Sequence, residues 1–258
     1  MPLTASSYAV LRYLLPGAVA GVVTFLVSRV AIAPLIDAAV DAEAALEHTA
    51  GGGHDHAAEL FTRSVQENVG AAVGVIGFGV VMGVLYAVAH TVVANALAAR
   101  GVTPDPTALA LLLAGGMFVT VAFVPALKYP ANPPGVGLAD TVAERTSASL
   151  TMTILSVVVG CVALAAAVAS ARRVPLRRLT GIAVLGYAAV MGVAAILLPS
   201  FHEIPDGFPA ETLADFRLYT VLIQAVLWVV IGGVWSWLAP GRPVSGESVR
   251  VSPAFSGM

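Results

Sequence analysis

Three of the five histidines in this chain, His48, His54 and His56, fall within one short stretch, Asp41–Glu59, DAEAALEHTAGGGHDHAAE. Asp41, Glu43, Glu47, Asp55 and Glu59 stand around them. Imidazole nitrogen beside carboxylate oxygen suits zinc, nickel or cobalt(II), whereas an all-oxygen set suits magnesium or calcium. His54 and His56 would point apart on a helix or a strand. The glycines Gly51 to Gly53 just before them let the backbone turn so that both reach one ion. A second donor set, His202, Glu203 and Asp206, occurs in HEIPDGFP. The candidate metal ligands are therefore His48, His54, Asp55, His56, Glu59, His202, Glu203 and Asp206. Their spacing matches no structural zinc motif, so they speak for metal affinity more than for metal identity. The competing reading is a solvated loop whose histidines bind nothing.

The elements that must position these groups are apolar. The chain has 258 residues, 58% hydrophobic and 11% charged, with a mean hydropathy of +0.89. Soluble domains carry about 25% charged residues, so the pattern predicts an all-α, polytopic integral membrane bundle. The single cysteine, Cys161, lies in an apolar run, which excludes a disulfide framework and a thiolate cluster. No basic patch with interleaved aromatics occurs, so nucleic acid is not an expected partner.

Six segments are long enough to cross a bilayer, at roughly 20 residues each. They run over about 8–33, 69–99, 107–127, 147–171, 179–198 and 218–239. A histidine-bearing loop, 34–66, separates the first two, and residues 241–258 read as a disordered tail beyond a single transmembrane domain, 1–240. An A-x-A-like site at Ala18–Ala20 falls in the middle of the first run, so a retained helix is expected there rather than a cleaved signal peptide. The second run carries Gly70, Gly74, Gly79 and Gly83, two small-xxx-small pairs that allow close helix approach, expected within the subunit. Trp235 and Trp237 end the last run, where an interfacial belt would place them. His90 is the only ionisable residue of the second run and, with Asn95, the candidate for an intramembrane path. The alternative for His90 is contact with headgroups near the end of an overlong helix. Thr120, Ser149, Thr151 and Thr153 are further polar groups at membrane depth.

Placing the N-terminus in the cytoplasm puts eight of the 13 basic residues inside, including the compact RRVPLRR at 172–178. The same topology puts both termini in the cytoplasm and 13 of the 15 acids outside, where they attract cations. The outward hairpins share a pattern: Pro34, Pro125 and Pro199 follow their first helices, and Arg63, Arg145 and Arg217 precede their second. Leu-Ala-Asp recurs at Leu138–Asp140 and Leu213–Asp215. This fits three two-helix repeats whose outer loops converge, bringing His202 towards the first loop. Prolines that stop helices and interfacial arginines give the same pattern without a repeat.

The chain resembles the CbtA family of predicted cobalt transporter subunits, bacterial membrane proteins. The resemblance rests on VAIAPLIDAA, the acidic loop with HDH, FTRSVQENVGAAVGVIGFG, VPALKYPANPPGVG, ERT, and FHEIPDGFPAETLADFRL, from about Tyr8 to Leu238. It implies a multi-pass protein of the bacterial plasma membrane that takes part in cobalt(II) uptake linked to vitamin B12 synthesis. It also implies a small histidine-bearing one-helix partner, CbtB. The family is usually described with five spans, against six here. No cofactor is expected to be held permanently; the ion, cobalt(II) with nickel or zinc as alternatives, is cargo. No G-x-x-x-x-G-K-[ST], H-E-x-x-H or nucleophile-elbow serine occurs, so an enzyme is not expected. A subunit that senses metal or assembles others is the second reading, because the spans hold few polar groups.

Overall fold

The computed structural model describes residues 5–50 and 69–238. Helix α1 spans Ala5–Ala31, α2 Ala33–Ala50 and α3 Ala71–Ala98. Helix α4, Pro106–Met117, continues through a π-helical turn, Phe118–Phe123, into α5, Val124–Lys128. A 3-10 turn at Ala139–Thr141 leads into α6, Val142–Ser170; α7 is Leu176–Leu197 and α8 is Ala210–Leu238. No strand occurs among the described residues. Among the described residues, six helical stretches are long and apolar enough to cross a membrane: Val10–Ala31, Ala71–Ala98, Pro106–Lys128, Ala139–Ser170, Arg178–Leu197 and Ala210–Leu238. A segment without water must satisfy its backbone internally, and helices do so. Large apolar side chains face outward along the spans, with Ile196 82% exposed and Leu185 73% exposed. That surface fits lipid and would be untenable in water.

The structure departs from the sequence reading at several elements. The expected loop 34–66 begins as helix, because APLIDAAVDAEAALEHTA is rich in strong helix formers, and Pro34 sits in its first turn. Helix α8 starts at Ala210, ahead of the expected Leu218, so its first turns are polar. Trp235 is 2% exposed and belongs to the core, while Trp237, at 79%, faces outward as a belt residue would.

Helices α1 and α3 pack backbone to backbone. A Cβ on Gly79 would lie 2.6 Å from Gly21 Cα, and one on Gly83 would strike Gly17. Gly70, Gly74 and Gly77 instead meet open space. Only the Gly79–Gly83 pair is therefore used for packing, and within the subunit. Helix α8 runs along α1 and α4, burying Leu227, Trp228, Ile231 and Trp235 with Tyr86, Ala110 and Leu113. Helix α7 packs along α6, through Met152, Tyr187, Met191 and Ala194. The last hairpin does not pack on itself as the first does, so the equivalence of three hairpins does not extend to their packing.

Charge divides the two ends of the bundle. One end carries Arg12, Arg100, Arg172, Arg173 and Arg178; Arg172 Nε donates to the carbonyl of Arg100 and ties the two short loops there together. The other end carries α2 and the segments 129–141 and 198–209, with Asp37, Asp41, Glu43, Asp140, Glu144, Glu203, Asp206, Glu211 and Asp215 outnumbering Arg29, Lys128, Arg145 and Arg217.

Candidate metal-capture face

At the acidic end the segments 129–141 and 198–209 are joined along their length. Lys128 Nζ donates to Ser200 Oγ (2.5 Å), and Tyr129 Oη donates to the carbonyl of Pro199 (2.6 Å). The Tyr129 and Phe201 rings stand 6.2 Å apart. Glu203 Oε2 accepts the amide of Leu138 (2.9 Å) and the hydroxyl of Thr141 (2.7 Å). Arg145 Nε approaches the same oxygen at 3.2 Å, and its Nη2 donates to the carbonyl of Leu138 (2.9 Å). The Leu138 amide and then the Thr141 hydroxyl, with a smaller part from the Arg145 charge, hold the Glu203 carboxyl below its usual range against a desolvation that opposes them. Arg217 Nη2 adds a bond to Asn132 Oδ1 (2.8 Å), fixing the 129–141 segment to α8.

Helix α2 closes over this platform. Its Ala39 buries against Val136, Phe208 and Leu213, with Ala42 and Leu46 packed beside them. The spacing of Ala39, Ala42 and Leu46 gives one apolar helix face, and Asp37 and Asp41 are exposed. Two tight turns make the approach close. Gly207 has φ +86°, and a Cβ there would lie 3.4 Å from Leu46 Cδ2; Gly135 has φ +76°, and a Cβ there would meet Glu43. Both turns need glycine for the left-handed backbone as well as for space.

The expected ligands fall into three groups. His202 and Asp206 are exposed on the platform, at either end of a five-residue stretch whose Glu203 carries the clamp just described. His48 lies in the last turn of α2, two residues beyond Leu46, whose Cδ2 lies beside Gly207. His54, Asp55, His56 and Glu59 lie outside the described residues. Among the described residues no group of three His, Cys, Asp or Glu side chains that could hold a metal ion comes together. The apolar face of α2 docks on the segments 129–141 and 198–209; the expected approach of His202 to His54 and His56 involves residues outside those described.

The candidate path residues lie on α3 towards the basic end. Asn95 is exposed, and His90 is half-buried. The His90 ring lies 5.0 Å from Trp235 and 6.0 Å from Tyr86. Arg12 Cζ stands 5.1 Å from the centroid of the same Trp235 ring, and Tyr13 packs on its edge at 6.0 Å. Tyr13 and Thr91 share a hydrogen bond of 3.2 Å, and Tyr86 donates to the carbonyl of Ala110 (2.8 Å). This box unites α1, α3, α4 and α8. The sequence points to His90 but not to this box around it; the sign available is an Arg-Tyr pair, Arg12–Tyr13, early in α1 with Trp235 late in α8.

Six spans with apolar exteriors, one acidic end and one basic end define a polytopic α-helical membrane protein. The family described as probable cobalt transporter subunit (CbtA) matches residues 7–240, and the chain belongs to that family. No curated protein and no solved structure matches it in the comparisons made. The family assignment makes the chain a membrane subunit of a cobalt transport system.

Proposed function

We propose that the acidic end faces out of the bacterial cell, with both termini in the cytoplasm, and that it captures cobalt(II) for uptake. The acidic face raises the local concentration of divalent cations. The histidines His48, His54 and His56 with Asp55 and Glu59 take the ion, and His202, Asp206 and Glu203 form a second donor set. What supports this reading is the docking of α2 on the acidic platform, with Leu46 beside Gly207. No three-ligand group comes together among the described residues, and in this reading the donors of the first loop and the platform collect the ion and pass it on.

In this proposal His90 and Asn95 mark the inner end of the path. A dication that arrives beside His90 meets the Arg12 charge on Trp235, which disfavours retention and favours release. A small one-helix membrane subunit of the CbtB kind completes the system. Cobalt(II) is the cargo; nickel(II), which nitrogen and oxygen sites bind more tightly than cobalt(II), and zinc(II), which suits the same imidazole donors, would compete.

The test is uptake of cobalt-57 and nickel-63 by cells that make the chain with and without the small partner. Cobalt uptake should require the chain and fall when His48, His54 and His56 are all replaced by alanine. Unchanged uptake in that triple variant sinks the capture role. Uptake absent in every combination favours the second reading, a subunit that senses metal or assembles others.

A further inference from the structure

The third span, Pro106–Lys128, carries Pro125 one turn before its end. Pro125 is buried and has no amide to donate. The amide of Val124 bonds to the carbonyl of Val119, five residues back, instead of to Thr120. In α register the Thr120 carbonyl would be served by residue 124, and in π register by residue 125. It receives neither. An unserved carbonyl in hydrocarbon is costly, and here another helix supplies the donor.

That donor is Ser156 on α6. Its hydroxyl donates to the Thr120 carbonyl at 2.6 Å and lies 2.6 Å from the Tyr187 hydroxyl on α7. The proton count fixes the direction: a carbonyl only accepts, so Ser156 has given its proton, and Tyr187 must donate to Ser156. Ser156 is 0% exposed. It sits at the midpoint of α6, Val142–Ser170, and Tyr187 is close to the midpoint of α7, Leu176–Leu197. Gly160, one turn on from Ser156, lets Thr120 approach closely, since a Cβ there would lie 2.6 Å from Thr120 Cγ2.

The segment beyond the wide turn carries the candidate capture face. Lys128 and Tyr129 hold Ser200 and Pro199, next to His202. We propose that Phe118–Phe123 is a hinge, and that Tyr187 and Ser156 are the latch that holds it in the observed conformation. Opening the latch frees the Thr120 carbonyl and lets α5, with the platform bonded to it, move relative to α4. Wide turns of this kind recur at functional sites in helices, and interrupted helices at the midplane serve as moving parts in transporters. The hinge stands without the metal reading; its link to capture rests on that reading.

Hydrogen–deuterium exchange of the full chain in detergent micelles tests it, comparing wild type with Tyr187→Phe and Ser156→Ala. Tyr187→Phe removes one hydroxyl and keeps the ring, so it guards against a misfolded Ser156 variant. Exchange across residues 118–129 should rise about three- to tenfold in either variant, with α3 unchanged, as expected for loss of one intramembrane hydrogen bond. The double variant should resemble Ser156→Ala alone, because Tyr187 acts through Ser156. Equal exchange in all proteins, or a uniform rise over every helix, overturns the latch. In cells, altered exchange with unimpaired cobalt uptake overturns the link to capture and leaves the hinge. Altered exchange when the wild type itself shows no uptake overturns the capture reading and leaves the hinge.

Discussion

Arg145 Nε lies 3.2 Å from Glu203 Oε2, joining the first turn of α6 to the segment between α7 and α8. Of the groups that hold the Glu203 carboxyl down, the Arg145 charge counts least, after the Leu138 amide and the Thr141 hydroxyl. The same carboxylate oxygen also accepts the Leu138 amide and the Thr141 hydroxyl, and this shared acceptor makes the pair a clamp between two loops.

Glu203→Gln should loosen the clamp and lower the thermal midpoint of the purified protein. The pH dependence follows from the depressed Glu203 carboxyl. Its stabilising contribution is fully present above the usual carboxylate range and is lost as pH falls through the lowered folded value. Thermal melts of wild type and Glu203→Gln should therefore differ at neutral pH and converge in strong acid. A gap that persists at the lowest pH would show that the clamp does not depend on the carboxylate charge.

The glycines of α3 predict opposite outcomes on one helix. Gly79→Leu and Gly83→Leu drive a side chain into the α1 backbone and should destabilise by about 1–3 kcal/mol or more. Gly74→Ala and Gly77→Ala meet open space and should be neutral or stabilising by about 0.5–1 kcal/mol, the helix preference of alanine over glycine. Monodispersity and melting in detergent distinguish the two sets.

Docking of α2 depends on an apolar contact. Leu46→Asp places a carboxylate among Val136, Phe208 and Leu213 and should release the helix. Limited proteolysis within residues 33–50 should accelerate, while the spans stay resistant. Ala45→Asp, at an exposed position of the same helix, should leave the rate unchanged.

The two late tryptophans of α8 should behave differently. Trp235→Ala opens the box of Tyr13, Tyr86, His90 and Arg12 and should cost about 3–5 kcal/mol. Trp237→Ala, at an exposed site, should cost far less. Arg12→Ala should cost about 0.5–2 kcal/mol, the range for a cation over an aromatic face. Melting followed by intrinsic fluorescence separates these effects.

Composition and run length by themselves determined six spans, because a hydrocarbon environment permits only helices that satisfy their own backbone and require a minimum length. The order of loops was enough to read the family, and charge was enough to separate the two ends. Tertiary structure decided what neighbours across the chain do. Glu203 reads as one more carboxylate until the Leu138 amide and Arg145 are seen to share its oxygen. Trp235 and Trp237 carry the same belt signal, and only the approach of α1 and α3 buries the first. Ser156 and Tyr187 look like ordinary polar residues in two greasy runs; their role appears when Pro125 strands the Thr120 carbonyl beside them. Periodicity and hydropathy are properties of one segment, whereas a hydrogen-bond acceptor shared by distant residues exists only once the helices have packed.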